Sequence, residues 1–274
     1  MSGTLYLVPT PIGNLGDISA RCRQTLAEAD FIAAEDTRVS LRLLNHLEIK
    51  KPLVSYHEHN KRESGLRILE RLQSGESCAL VTDAGCPAIS DPGEDLVRLC
   101  AEAGVPVCAI PGPCAAITAL SVSALPTGRF CFEGFLPAEG KERAARLAAL
   151  QTEMRTTILY EAPHRLPKTL RALADALGAE RRVSLCRELT KLHEEVRRTT
   201  LGEAASYYAE NEPRGEFVLV LEGAVPADET VTLEEAVALA GRLIAGGMTK
   251  KDAVRQAAKE TGVPKNTLYD EIMK

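Results

Sequence analysis

Short apolar runs recur along the first half of the chain, and each stops at polar, glycine or proline residues before a helical pattern begins. Residues 4–8 (TLYLV) read as a β-strand running into Pro9-Thr10-Pro11-Ile12-Gly13-Asn14, with a helix over 18–29 capped by Asp17. Residues 31–34 form a second strand, ending at Glu35-Asp36-Thr37-Arg38 before a leucine-rich helix through Leu47. A third, 53–56, ends in His57-Glu58-His59-Asn60 and leads to a helix over 63–73. The fourth, 78–81, opens the stretch LVTDAGCPAISDPG (80–93), whose glycines and prolines keep the backbone irregular until Glu94. A helix over 94–103, a strand over 105–110, the turn Pro111-Gly112-Pro113-Cys114 and a small-residue helix over 115–124 complete this part. Five strand–helix units in a row predict a mostly parallel sheet with helices on both faces, a first αβ domain over residues 1–137.

A second αβ domain is expected over 138–224. It holds a helix over 139–151, a strand over 156–160 ending in Glu161-Ala162-Pro163-His164-Arg165, and a helix to Leu177. The strand over 183–185 runs into Arg187-Glu188-Leu189-Thr190-Lys191-Leu192-His193-Glu194-Glu195, and a last strand spans 216–221. Residues 225–230 read as a polar linker. Beyond it, helices over 233–244, 250–259 and 265–272 predict a helical domain over 231–274 that has the pattern of a helix-turn-helix, with Gly262 at the turn. A plain helical hairpin has the same pattern, but Lys250, Lys251, Lys265 and Asn266 suit contact with RNA.

With 45% hydrophobic and 26% charged residues, the chain reads as an ordinary globular protein. No apolar run approaches the roughly 20 residues that cross a bilayer, and the first residues lack a basic start and cleavage site, so no membrane association and a cytoplasmic location are expected. The eight cysteines include no Cys-x-x-Cys spacing, which predicts reduced core thiols rather than disulfides or zinc ligands. His57 and His59 alternate without a third ligand cluster, so no metal is called. A net charge of -5 argues against a generic nucleic-acid coat. Residues 141–200 and 249–274 are nevertheless locally basic and suit a partner carrying phosphates.

If both sheets point their carboxyl ends at a shared cleft, the polar strand ends of the two αβ regions allow a ligand to bind between the domains. There is no P-loop, no G-x-S-x-G elbow and no G-x-G-x-x-G after the first strand, so the common ATP, hydrolase and dinucleotide readings lose their main support. Asp36 and Asp83 end strands but lack the second aspartate, two residues on, of an aspartyl phosphatase.

As a set, TPIGNLGD (10–17), EDTR (35–38), TDAGCPAISDPG (82–93), PGPCAA (111–116), GFLP (134–137), YEAPHR (160–165) and RELTKLHEE (187–195) resemble the S-adenosylmethionine-dependent tetrapyrrole-methylase superfamily. Within it they look like the branch that methylates the ribose 2'-hydroxyl of a decoding-centre cytidine in 16S rRNA of the small ribosomal subunit. The resemblance runs over residues 3–223, with a similar helix-turn-helix-like tail; Thr82 and Cys86 are conservative departures. It implies two αβ domains with S-adenosylmethionine in the cleft between them, and a homodimer. Pro11, the loop with Asp83, Ala84, Gly85, Ile89 and Ser90, and the turn with Pro111, Ala115 and Ala116 are then cofactor-binding, with the adenine against Tyr160, Glu161 and Ala162. Lys191, beside Glu188, is the first candidate for a base or polarising residue, with Glu35 and Asp36 next. Arg38, Arg165 and Arg187 are read as gripping phosphates or pairing with those carboxylates. Two alternatives stay open: a precorrin-type tetrapyrrole methyltransferase, and a nucleic-acid-binding regulator that senses a ligand without turnover.

Overall fold

The computed structural model describes residues 2–225 and 232–273. Residues 1–224 form one unit and residues 225–274 another. Most of the expected polar linker, residues 226–230, lies outside the described residues.

The first sheet contains β1 (Leu5–Leu7), β2 (Phe31–Ala34), β3 (Leu53–Ser55), β4 (Cys78–Val81) and β5 (Val107–Ala109), in the order β3-β2-β4-β1-β5. Every pairing is parallel. A central parallel strand is covered on both faces and therefore reads as an unbroken apolar run, as the fully buried β2 and β4 do. Successive side chains of β2 still part company: Ile32 and Ala34 pack with Val8, Leu26 and Leu44, while Phe31 and Ala33 pack with Tyr56, Ile68 and Leu96. The helices covering the two faces are α1 (Ala20–Glu28), α2 (Thr37–His46), α3 (Lys61–Gln73) and α4 (Glu94–Glu102). α1 starts later than Asp17 would have set it. Ser19 is its cap, accepting from the Cys22 amide at 3.0 Å, while Asp17 ends a 3-10 turn.

α5 (Ala115–Val122) leaves the first sheet for the second. Its Ala116, Ala119 and Leu120 pack with Ile158, Cys186, Val218 and Val220. Small side chains let it approach closely: the Ser184 hydroxyl donates to the Ser123 carbonyl at 2.6 Å.

The second sheet is mixed. It comprises β6 (Phe130–Phe135), β7 (Thr156–Glu161), β8 (Arg182–Arg187), β9 (Glu195–Thr200) and β10 (Phe217–Leu221), in the order β6-β7-β10-β8-β9. Only the β6–β7 pair is parallel among its pairings. Its other face carries α6 (Gly140–Thr152), α7 (Leu166–Leu177) and α8 (Leu201–Glu210), over a core that includes Leu159, Leu170, Leu185, Leu201 and Leu219. β6 belongs to this sheet although it precedes residue 137, where the sequence suggested a boundary.

In the second unit, α9 (Leu233–Ala245), α10 (Lys250–Thr261) and α11 (Lys265–Ile272) surround Ala236, Ala240, Val254, Ala257 and Leu268. Thr232 and Glu235 form a capping box on α9, Thr249 caps α10, and Gly262 ends α10 at φ 74°. Lys250, Lys251, Lys265 and Asn266 are all exposed. Among the described residues no helix is long and apolar enough to cross a membrane.

Candidate active site

The loop after β4 is tied down at both ends. Thr10 and Gly85 exchange backbone hydrogen bonds of 2.9 and 3.0 Å, and the Thr10 hydroxyl donates to the Thr82 carbonyl at 3.0 Å. The Thr82 hydroxyl in turn donates to Glu35 Oε2 at 2.8 Å, and the Asp36 amide to Asp83 Oδ1 at 3.2 Å. A Cβ on Gly93 (φ 142°) would lie 2.9 Å from Leu80 Cδ2, so glycine is needed where the loop closes. Ala88 and Ser90 also adopt positive φ, at 68° and 61°. A non-glycine backbone held in this region marks a loop shaped by its surroundings.

This loop, the start of α5 and the ends of β7, β8 and β10 enclose a cleft of about 500 Å³. It falls within the size range of small-molecule sites, roughly 300–1,000 Å³. Of the residues expected to hold a cofactor, Asp83, Ala84, Gly85, Ile89, Ser90, Ala115, Tyr160, Glu161 and Ala162 line it. Pro11, Pro111 and Ala116 do not; Ala116 is buried under the second sheet. Sequence reasoning missed Ile12, Asp91, Phe135, Pro163, Leu189, Glu216, Phe217 and Val218 on the cleft wall. It also placed Cys86 and Cys114 in the core, and both are only partly buried on the cleft wall; Cys186 borders the cleft but is buried, as expected. Cys22, Cys78 and Cys100 are buried, as expected of core thiols.

Glu35, Asp83, Asp91, Glu161 and Glu216 line the cleft, and no lysine, arginine or histidine is among the described lining residues. Glu161 is satisfied from within: Arg165 Nε lies 3.3 Å away, the Thr169 hydroxyl donates at 2.5 Å and the Ala162 amide at 2.9 Å. Arg165 also donates to the Leu136 carbonyl, so it braces the cleft rather than reaching outward. Glu35, Asp83 and Asp91 have no ion pair among the described residues. Burial, reinforced by the charges of Glu35 and Asp83, pushes the Asp91 carboxyl up to about 6, and burial also raises that of Asp83. Such a wall favours a ligand with net positive charge.

The other candidates divide. Asp36 caps α2 through the Arg38 amide at 2.8 Å and pairs with the Arg38 guanidinium at 2.6 Å. Hydrogen bonds from Arg38 hold its carboxyl well below the usual carboxylate range. Neither residue lines the cleft. Arg187 Nε donates to Glu195 at 3.1 Å and its Nη1 to the Arg214 carbonyl at 3.4 Å.

Lys191 Nζ lies 2.8 Å from Glu188 Oε1 and 3.1 Å from Glu216 Oε2. Burial alone would lower the lysine pKa, but these two hydrogen bonds outweigh it and raise it, so the side chain is an ammonium. Its stem crosses Gly13, where a Cβ would meet Lys191 Cγ at 2.4 Å. Glu188 is held by the Glu216 amide at 3.0 Å, with φ 51°. A Cβ on Gly215 would meet Glu188 Cγ at 2.5 Å. Of the three residues, Glu216 is the one that lines the cleft.

The profile described as "Tetrapyrrole (Corrin/Porphyrin) Methylases" matches residues 4–205. The chain belongs to the tetrapyrrole methylase family. Residues 231–274 match the profile described as "RsmI C-terminal HTH domain". Relatives within the tetrapyrrole methylases include the Ribosomal RNA small subunit methyltransferase I of Synechocystis sp., 50% identical over 97% of this chain and 96% of that protein. The protein of the same name from Pseudomonas aeruginosa is 48% identical over 99% and 97%. Among solved structures, uroporphyrin-III C-methyl transferase from Thermus thermophilus complexed with S-adenyl homocysteine superposes with a TM-score of 0.56 at 20% identity, covering 80% of this chain and 97% of that one. Diphthine synthase superposes with a TM-score of 0.62 at 16% identity, over 80% and 90%. These two establish the tetrapyrrole methylase fold and no more.

Proposed function

We propose that the chain is an S-adenosylmethionine-dependent methyltransferase acting on 16S rRNA of the small ribosomal subunit, at the ribose 2'-hydroxyl of a decoding-centre cytidine. The observation that carries this reading is the near-full-length likeness to relatives named Ribosomal RNA small subunit methyltransferase I. The finer choice of ribose and nucleotide rests on the motif set of the sequence. We read the protein as a cytoplasmic homodimer of two αβ domains and a helical domain, with the boundary between the αβ domains ahead of β6.

The cleft fits the cofactor by charge and by surface. S-adenosylmethionine carries a sulfonium, an ammonium and one carboxylate, and is therefore a net cation; the unpaired Glu35, Asp83 and Asp91 complement it. Ile89, Phe135 and Tyr160 supply apolar wall for an adenine, and Asp83, Ala84, Gly85, Ser90 and Ala115 would hold the methionine end. Pro11, Pro111 and Ala116 shape the backbone around it from outside the wall. When bound, the cofactor supplies a methyl group already activated on sulfur, so the protein chiefly aligns the hydroxyl; alignment of this kind is worth roughly 7–11 kcal/mol.

Lys191, as an ammonium, serves as a polarising charge rather than a base, and Glu188 anchors it. Asp36 and Arg38 hold the EDTR turn, while Arg165 and Arg187 brace the second sheet. RNA is met in part by Lys250, Lys251, Lys265 and Asn266. The test is methyl transfer from labelled S-adenosylmethionine to undermethylated small subunits and to naked rRNA, with the labelled nucleotide mapped. Label on the ribose of a decoding-centre cytidine is expected. Label on a base, or on a tetrapyrrole and not on RNA, overturns the reading.

A further inference from the structure

Resting on the RNA-methyltransferase reading, we infer that Glu216 is the catalytic base that takes the 2'-hydroxyl proton, and that Lys191 and Glu188 are positioning residues acting through it. Glu216 lies immediately before β10 at the cleft wall, and its side chain is 78% exposed. Glu188 and Lys191, at 19% and 28%, are more enclosed and do not line the cleft. A base must reach the proton it removes, and of the three Glu216 is the most exposed and the one that lines the cleft.

The bonding pattern divides the labour. Glu188 Oε1 accepts from both Lys191 Nζ (2.8 Å) and the Glu216 amide (3.0 Å). The missing Cβ of Gly215 leaves room for that carboxylate, whose Oε1 would otherwise lie 2.7 Å from it. Glu188 thus holds two donors on one oxygen and is the most enclosed of the three side chains. Lys191 gives one donor to each glutamate, and both hydrogen bonds favour its protonated form. Glu216 accepts from Lys191 through Oε2 alone, and Oε1 has no partner among the described residues. An ammonium fixed on one oxygen restricts the carboxylate's rotation and leaves the other oxygen available on an exposed side chain of the cleft wall.

The rival carboxylates are placed for other work. Asp36 is spent on Arg38, and Glu161 on Arg165, Thr169 and the Ala162 amide. Glu35, Asp83 and Asp91 sit together around the loop after β4, where a cationic ligand needs them. In the step itself, the hydroxyl proton passes to Glu216 Oε1 and the oxygen's electron pair forms the new O–CH₃ bond. The electron pair of the S–CH₃ bond leaves with sulfur, and the proton is then lost to water.

The test compares wild type, Glu216→Gln, Glu216→Asp and Lys191→Arg in single-turnover transfer to undermethylated small subunits across pH. S-adenosylmethionine affinity is measured by calorimetry without RNA, and the Lys191 Nζ titration by NMR in the apoprotein. Glu216→Gln is expected to lower the rate by about 10²–10³-fold and to abolish the acidic limb of the pH profile. Cofactor affinity should stay within about twofold, and the Lys191 titration should move to lower pH as one carboxylate partner is lost. Glu216→Asp should recover part of the rate and the limb. A Glu216→Gln enzyme within about fivefold of wild type, or one that keeps the acidic limb, overturns the inference alone. A wild-type protein that binds the cofactor and methylates no RNA overturns the underlying reading, and the inference with it.

Discussion

EDTR and RELTKLHEE are both dense runs of charge at strand ends, and the fold uses them in opposite ways. In EDTR the charges close on one another: Asp36 caps α2 and pairs with Arg38, leaving only Glu35 on the cleft. In RELTKLHEE the lysine is shared between Glu188 and a residue just ahead of another strand, Glu216, which lines the cleft. A charge satisfied by its own neighbours supports the turn that carries it. A charge satisfied across strands fixes the position of a third group.

The largest effect that would sharpen this contrast is Lys191→Ala. Removing the ammonium leaves Glu188 and Glu216 facing each other with no cation between them, and the rate of transfer should fall roughly 10²–10³-fold. Lys191→Arg, which keeps the charge, should recover to within about tenfold of wild type. Equal rates for the alanine and arginine variants would show that charge at this position is not what matters.

Gly215→Ala tests the same cluster from behind. The new Cβ would fall 2.5 Å from Glu188 Cγ at a residue with φ 82°, so Glu188 has to move and Lys191 with it. About a tenfold loss of rate is expected, with a loss of about 1–2 kcal/mol in stability and little change in cofactor affinity. A variant destabilised to this extent but fully active would detach Glu188 from the mechanism.

How much of this arrangement the sequence reveals depends on what kind of signal each part leaves. β1 to β5 are legible because buried parallel strands give unbroken apolar runs cut by Gly and Pro. β6 and β9 are not: FCFEGF is only partly buried, and EVRRTT is an edge strand whose Glu195, Arg197 and Arg198 disguise the alternation. α8 follows β9 directly and was lost with it. On the cleft, the Gly- and Pro-rich loops announce themselves, whereas Phe135, Leu189, Phe217 and Val218 look like any core residue until the second sheet is assembled. Glu216 was hidden for a similar reason, since it reads as the first residue of a strand and its partners lie 25 and 28 positions away.

The acidic wall extends the contrast from proton transfer to cofactor binding. Asp91→Asn should weaken S-adenosylmethionine about 3–10-fold and leave S-adenosylhomocysteine, which lacks the sulfonium charge, nearly unchanged. For the wild type, S-adenosylmethionine affinity should fall as pH drops through about 6, where Asp91 takes up a proton. Stability runs the other way. Because the folded-state value is raised, the apoprotein is favoured by this group at low pH and loses that contribution as pH rises through about 6. Calorimetry with both ligands decides the matter, and parallel losses for the two would assign Asp91 to packing alone.

The smallest effect belongs to EDTR itself. Asp36→Ala removes the side chain that accepts from the Arg38 amide at 2.8 Å and pairs with its guanidinium, but it leaves the Asp36 amide free to keep its bond to Asp83. The melting temperature should drop by roughly 2–4 °C, as for the loss of a helix cap in a chain of this size, with cofactor affinity held within about twofold. The depressed Asp36 value gives the sign: its contribution is present above the ordinary carboxylate range and is lost as pH falls, so the variant and wild type should converge in stability under acid. If Asp36→Ala instead cost as much rate as Lys191→Ala at unchanged melting temperature, the two charge runs would not differ in kind, and Asp36 would belong with the catalytic groups.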